Sequence, residues 1–480
     1  MSKHHILMIP YPVQGHVIPL MELAQSLVKY DFKITFANTE STHKRIINSL
    51  GGKSILHDQI HLISILDESE SGENKNVPGK LSEAIFKVMP GKIEKLIQET
   101  NVSEDDKITC VIADQSLGLA LELAANMGIK RAAFLTAAAA NLVLGFNIPK
   151  LIDDGIIDTN GTPAIKDHAF QFEPTMPIMN TSDLVWTRMG NFTMQKIIFD
   201  MMVYNNKSVK TADWLICNST YDLEPGAFNL APEIVPIGPL LASNCLEPSM
   251  SLPEAEPRIS SRESPNCEIS SVAGSFWPED STCLNWLDQQ PLCSVVYVAF
   301  GSFTLFNESQ FQELALGLEL TNMSFLWVVR NDALDAKTDV FLKFFMDRIG
   351  KKKGQIVSWA PQLKVLSHPS IGCFVSHCGW NSTIEAISNG IPILCWPYFA
   401  DQFMNQSYIC DIWKVGVGLK KEANGIIKRE EIKHKVEQLM GYVEFKKRAL
   451  QLKEMTMSSV KGGGRSYQNF INFIQWIKSS

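Results

Sequence analysis

Hydrophobic residues recur along the chain in two rhythms, short unbroken runs and longer stretches spaced three and four apart. Ile6-Leu7-Met8-Ile9 is an unbroken run, as expected of a parallel strand buried on both faces. Tyr11 to Gly15 reads as a turn. From Val17 to Tyr30 the apolar positions Val17, Leu20, Met21, Ala24, Leu27 and Val28 follow helical spacing, and Phe32 to Ala37 is strand-like again. This β-loop-α-β unit predicts the start of a doubly wound sheet. Ile108 to Ala113 predicts a further strand ending at Asp114, followed by an Ala/Leu-rich helix from Leu117 to Met127. The Ala-rich stretch Ala132 to Ile148 holds Thr136, Asn141 and Asn147, so it reads as a buried helix rather than a membrane span.

Around Cys245 to Asp280 both rhythms stop. Pro, Ser and Glu dominate, with too few apolar residues to order a core, which predicts a mobile linker or surface insertion. The α/β pattern then restarts, with a strand over Ser294 to Phe300, a turn at Gly301-Ser302, a helix over Glu308 to Leu320 and a strand over Phe325 to Val329. The last predicted element is a short helix from Ser466 to Ser480, behind the hinge Gly462-Gly463-Gly464. The expected division is an N-terminal domain over 1–245, a linker over 246–282, a second domain over 283–458, and a C-terminal helix in 459–480 packing back on the first domain. Two Rossmann-like halves would leave a central cleft between the carboxyl ends of two sheets, a common place for ligands.

The length of 480 residues is too great for one ordinary core and agrees with that division. Lys and Arg total 44 against 51 Asp and Glu, a formal charge of −7. Such mild acidity disfavours non-specific binding to nucleic acid or to an anionic membrane. Any anionic ligand must be gripped by local donors. The N-terminus shows no signal-peptide pattern, and ten cysteines are scattered without a repeated framework, so free thiols and a cytoplasmic location are expected. A monomer is expected as well.

Chemistry concentrates between Trp359 and Gln402. Gly372 to Val375 predicts a buried strand and Asn381 to Ser388 a helix, so His377 to Trp380 forms a strand-to-helix loop at an open helix N-terminus. Such an end binds phosphate through unsatisfied N–H groups and the positive end of the helix dipole. Ser382-x-x-Glu385 also fits a capping box, which would spend both residues on closing the helix. The spacing of His368, Cys373, His377 and Cys378 matches no common zinc pattern. His16 and Asp114 each follow a buried strand of the first sheet, so both can emerge at one edge. A helix N-terminus should depress the His16 pKa and keep it neutral, able to take a proton from an acceptor hydroxyl. For each the plain alternative is structural, a core histidine and a turn or cap aspartate.

The 44 residues from Trp359 to Gln402, with Trp359-Ala360-Pro361-Gln362, His377-Cys378-Gly379-Trp380-Asn381-Ser382 and the closing Asp401-Gln402, resemble the signature box of plant family-1 UDP-dependent glycosyltransferases. Pro12-Val13-Gln14-Gly15-His16, Phe36-Ala37-Asn38-Thr39-Glu40, Val296 to Ser302 and Phe325 to Arg330 also resemble segments of that family. The resemblance implies the GT-B fold, two Rossmann-like domains with the sugar nucleotide held mainly by the second. It implies that Trp359 stacks on the uracil, with Ala360 and Gln362 at its edge, and that Glu385 takes both ribose hydroxyls. It further implies that His377, Asn381, Ser382 and the Trp380 backbone contact the diphosphate, with Ser302 and Thr304 approaching from the first loop of that domain. Asp401 and Gln402 would hold sugar hydroxyls, Gln402 in the manner of glucose users. From its own position Thr136 follows a strand end and is expected to reach the sugar. The resemblance also implies that Trp380 fits glucose better than an Arg would, since Arg there suits a glucuronate carboxylate. Ala386, where the family often has Gly, adds only a methyl group.

The resemblance implies too that His16 is the general base and Asp114 its orienting acid. The implied reaction is an inverting transfer of glucose from UDP-glucose, a co-substrate, to a hydroxyl of a small lipophilic plant metabolite, with phenolics such as flavonoids first and terpenoid or hormone acceptors as alternatives. No Asp-x-Asp triplet occurs, so no metal and no further cofactor is expected. Phe134, Leu142, Phe146, Trp186, Met189, Phe192, Phe199 and Met202, with Thr136, are candidate walls of an acceptor pocket, with ordinary core an equal alternative for each. An NAD(P)-dependent oxidoreductase is a weaker reading, because Pro10 to Gly15 lacks the Gly-x-Gly-x-x-Gly turn. A non-catalytic UDP-sugar sensor is the other.

Overall fold

The computed structural model describes residues 4–50, 57–66, 78–103, 106–240, 274–333, 335–350 and 352–479. The first sheet draws on β1 (His5–Ile9), β2 (Lys33–Thr39), β3 (Ile60–Leu66), β4 (Ile108–Asp114) and β5 (Lys130–Leu135). A small antiparallel pair follows, β6 (Ala169–Phe170) and β7 (Met179–Asn180), before β8 (Trp214–Cys217) and β9 (Ile234–Pro236) complete it. Its seven strands are parallel in the order β3-β2-β1-β4-β5-β8-β9. The second sheet comprises β10 (Val295–Ala299), β11 (Ser324–Val328), β12 (Gly354–Val357), β13 (Ile371–Ser376), β14 (Ile393–Cys395) and β15 (Gly416–Gly418). Its six strands are also parallel, in the order β12-β11-β10-β13-β14-β15. The chain has the GT-B architecture of two Rossmann-like domains.

Both sheets are covered on both faces, which is why their strands read as unbroken apolar runs. Along β1, Ile6 and Met8 join one buried cluster while Leu7 and Ile9 join the other, the alternation a pleated strand imposes. The first helix, Gln14–Val28, covers the face of Ile6 and Met8 with Val17, Leu20, Met21, Ala24 and Leu27. The C-terminal helix, Arg465–Lys478, buries Phe470, Phe473, Ile474 and Ile477 in that same cluster. Each such burial stabilises by about 1.5–3 kcal/mol. Lys130 Nζ donates to the Trp476 carbonyl at 2.8 Å and Asn469 Nδ2 to the Pro236 carbonyl at 2.8 Å, holding the helix against the first sheet. No helix among the described residues is long and apolar enough to cross a membrane.

Two expectations are corrected. Ala132 to Ile148 is not one helix: Lys130–Leu135 is strand β5, and the helix begins only at Ala139. A short run of Ala, Phe and Leu is apolar in either conformation, and its pairing with β4 and β8 decides for strand. Of the expected linker, residues 246–273 lie outside the described residues. Residues 274–276, however, are buried, with Phe276 in the first-domain core, and the helix Thr282–Leu287 that follows buries Cys283, Trp286 and Leu287.

Candidate active site

In each sheet the strand order reverses between its first and fourth strands in sequence, β1 beside β4 and β10 beside β13, and ligands bind at the carboxyl ends of strands at such points. The pairings Ile9–Ala113 and Ala299–Ser376 bring the loops after these strands side by side. The two crevices open on one cavity of about 300 Å³, a size that encloses a small ligand. His16, Thr136, Ser302, Thr304, Trp359, Ala360, Gln362, His377, Trp380, Asn381, Ser382, Glu385, Asp401 and Gln402 all border it. Asp114 is fully buried behind His16.

His16 lies in the first turn of Gln14–Val28, whose N-cap Val13 is extended and supplies no side-chain cap. Its Nδ1 is 2.6 Å from Asp114 Oδ2 and 2.9 Å from Thr136 Oγ1. Asp114 Oδ1 accepts the Ser116 N–H at 2.8 Å, so one carboxylate both caps a turn and orients the imidazole. With Nδ1–H donated to Asp114, Nε2 is the atom left to accept a proton. The His16 side chain keeps 27% of its surface exposed against none for Asp114, so the imidazole is open to the cavity and the acid lies behind it. Thr136, expected near the sugar, borders the cavity and sets its hydroxyl on the His16–Asp114 pair.

The expected depression of the His16 pKa is overturned. Burial, the largest single influence, lowers it, but the charge and hydrogen bond of Asp114, with the charge of Asp401, together raise it above its ordinary value. A helix N-terminus is a partial charge, while Asp114 is a whole one in contact.

The opposite wall is built on Trp380–Asn389. Its N-cap is Gly379, with no side-chain cap, so the first-turn N–H groups face the cavity. The helix starts at Trp380, which places Ser382 and Glu385 inside it and removes the capping-box reading. Both side chains are instead held by Gln362, whose Nε2 donates to Ser382 Oγ at 2.8 Å and Glu385 Oε2 at 2.6 Å. Burial raises the Glu385 carboxyl to about 7, against the Gln362 bond, which lowers it. Burial alone drops the His377 pKa to about 4, so its ring is neutral. His377 Nδ1 and Thr304 Oγ1 are buried at the cavity without a partner, as is Asn381 Oδ1. Two glycines make room for the His377 ring: a Cβ on Gly301, which has a φ of +67°, would lie 2.7 Å from Nε2, and one on Gly379 2.5 Å. Among the described residues no group of three or more His, Cys, Asp or Glu could hold a metal ion.

Other side chains tie the halves together. Asn381 Nδ2 donates to the Gly15 carbonyl at 2.8 Å, and Trp380 Nε1 to the Asn218 carbonyl at 3.0 Å. Asp401 Oδ2 accepts from Asn405 Nδ2 at 2.9 Å, and burial raises its pKa. Gln402 Oε1 accepts the N–H groups of Tyr398 and Phe399 at 2.7 and 3.1 Å, which leaves its amide N–H groups to offer a ligand. Of the nine expected acceptor-pocket walls only Thr136 borders this cavity. Phe134, Trp186 and Phe199 are core, the last two edge to face at 5.1 Å, and Phe192 is 59% exposed. Sequence reasoning missed Tyr297, whose hydroxyl donates to Gln362 Oε1 at 3.2 Å, because it reads as one more apolar position of β10. It also missed Ser275 and Glu279, which line the cavity from the end of a stretch read as linker. The aromatic pair Phe276-Trp277, standing where apolar residues resume, was the available signal.

Comparison with known proteins agrees with this geometry. A model of the family described as UDP-glucoronosyl and UDP-glucosyl transferase matches residues 281–459. UDP-glycosyltransferase 83A1 of Arabidopsis thaliana is 47% identical over 486 residues, covering 100% of this chain and 98% of the relative. Linamarin synthase 1 of Manihot esculenta is 35% identical, covering 98% of this chain and 96% of its own. A UDP-glucosyltransferase from Polygonum tinctorium, described as capable of glucosylating indoxyl and solved with 3,4-dichloroaniline, superposes with a TM-score of 0.80 at 26% identity, covering 100% of this chain and 99% of that one.

Proposed function

The chain belongs to the family of UDP-glucoronosyl and UDP-glucosyl transferases and is a glycosyltransferase, and from that footing we propose that it moves glucose from UDP-glucose to a hydroxyl of a small lipophilic plant metabolite, with inversion and without a metal. The observation that carries this reading is the pairing across one cavity of a carboxylate-held imidazole, 2.6 Å from its acid, with an uncapped helix N-terminus flanked by unpartnered His377 and Thr304. His16 Nε2 takes the acceptor's hydroxyl proton as its oxygen attacks the anomeric carbon. The new C–O bond forms while the bond to the β-phosphate oxygen breaks, and Asp114 stabilises the imidazolium that develops. The departing diphosphate gathers charge beside the N–H groups of Trp380 to Ser382, with neutral His377, Ser302, Thr304 and Asn381 as further donors. Base and leaving-group donors stand on opposite walls, so the attack is in line and the α-linked donor gives a β-glucoside.

Trp359, Ala360 and Gln362 hold the uracil, Glu385 the ribose, and Asp401 with the Gln402 amide the glucose hydroxyls. The acceptor lies beside His16, and a phenolic is the first choice, since the Polygonum relative is described as glucosylating indoxyl, itself a small flat aromatic. The test is an incubation of the purified protein with UDP-glucose and a panel of phenolic and terpenoid acceptors, with chelator present. The expected result is UDP release and a β-glucoside identified by NMR, lost in His16→Ala. UDP binding without turnover on the whole panel would make the protein a UDP-sugar sensor, and loss of turnover with chelator would remove the metal-free mechanism.

A further inference from the structure

The segment that brings the chain back at residue 274 touches both walls of the cleft. On the first-domain side Phe276 packs in the core with Val17 and Met21, and its N–H donates to Gln14 Oε1 at 3.1 Å. Ser49 Oγ donates to the Ser275 carbonyl at 2.6 Å. On the other side Trp277 stacks on Trp359, with ring centroids 4.7 Å apart and planes 26° from parallel. The Asp280 N–H donates to the Trp359 carbonyl at 2.9 Å, so the backbone as well as the ring of Trp359 is held by this segment.

Trp277 is itself fixed from behind. The Arg330 guanidinium lies 5.8 Å from its ring centroid, within cation–π range, and Nη1 of Arg330 donates to the Gly301 carbonyl at 2.9 Å. Gly301 belongs to the loop that carries Ser302 and Thr304. Trp359 borders the cavity and Trp277 does not, so Trp277 covers the indole face turned from the cavity and leaves the other free for a ligand. A partly exposed indole without such a neighbour would have to be ordered when the ligand arrives, which weakens binding.

We propose that Trp277 is a positioning residue of the donor site, holding Trp359 by stacking as a preformed platform for the uracil ring and so governing donor affinity while leaving the chemical step alone. The inference rests on the UDP-sugar reading of the cavity and deepens it, since it brings the returning segment into nucleotide recognition.

The test is calorimetric titration of the full chain with UDP, alongside kcat and KM for UDP-glucose. Trp277→Leu keeps apolar volume and removes the ring, and should raise the UDP Kd about three- to tenfold, the scale of an aromatic pair. KM should move in parallel, kcat should stay within twofold, and Trp277→Phe should recover most of the loss. A leucine variant with unchanged UDP affinity, or a fall in kcat at constant Kd, overturns the proposal. Should the leucine variant fail to fold, Kd is ranked across Trp277, Trp277→Phe and Trp277→His. A rise in that order supports the stack, and a flat order overturns it. Absence of UDP binding by the unaltered chain would overturn the donor reading with the proposal, whereas binding that ignores Trp277 overturns the proposal alone.

Discussion

His16, in the helix after β1, and His377, in the loop after β13, stand beside the β1/β4 and β10/β13 crevices of two sheets whose first six strands run in the same order, one beyond the first strand of its sheet and the other beyond the fourth. Burial pushes the pKa of both down. For His377 nothing opposes it, and the value falls to about 4. For His16 the Asp114 carboxylate at 2.6 Å, helped by Asp401, reverses the sign. One crevice therefore holds an imidazole able to take and keep a proton, and the other a neutral ring able only to donate or accept a hydrogen bond. The fold supplies the two places, and buried acid beside one of them, Asp114 above all, decides which is basic.

That contrast is broken most severely at the base itself. His16→Ala should lower kcat about 10²- to 10⁴-fold while UDP binds by calorimetry as before, because the donor wall is intact. Parallel loss of UDP affinity would mean that the two walls do not divide the work. Next comes the acid: Asp114→Asn should cost about a hundredfold in kcat. The sign of the pH effect follows from the raised His16 pKa, since the reactive imidazole is the unprotonated form. In the unaltered enzyme kcat/KM should fall as the pH drops through a pKa above the ordinary 6.5, and in Asp114→Asn that acid limb should move to lower pH. A limb that stays in place would show that Asp114 does not set the proton affinity.

On the donor wall the effects should fall on KM. Glu385→Gln is expected to raise KM for UDP-glucose about tenfold or more, the scale of hydrogen bonds to a charged group, with kcat little changed. A larger effect on kcat than on KM would place Glu385 nearer the reacting carbon. The smallest expected change is Trp380→Phe, which removes the indole N–H donated to the Asn218 carbonyl and should lower stability by about 1 kcal/mol, read as a fall in Tm. An unchanged Tm would show that this bond between the halves contributes nothing net.

Much of the site was legible because its residues follow strands that are easy to recognise. His16 lies just past the run Ile6 to Ile9, Asp114 closes Ile108 to Ala113, and His377 follows Gly372 to Val375, so each could be set at a sheet edge from the pattern alone. Thr136 was harder, since its place after a strand end conflicts with a helix over Ala132 to Ile148, and pairing with β4 and β8 decides for the strand. The acceptor walls Phe134, Trp186 and Phe199 misled because an aromatic residue in a core and one in a pocket look the same in sequence.

The two parallel sheets, the loops at their carboxyl ends and the residue types gathered there are legible along the chain, because unbroken apolar runs and helical spacing are local properties. The tertiary structure decided what depends on groups far apart in the chain meeting at short range. It set the sign of the His16 proton affinity, through an acid 98 positions away, and released Ser382 and Glu385 from capping into the grip of Gln362. It also laid Trp277, from the end of a stretch that looked like linker, against Trp359. Charge and stacking act over a few ångströms of space, and spacing along the chain carries no measure of that distance.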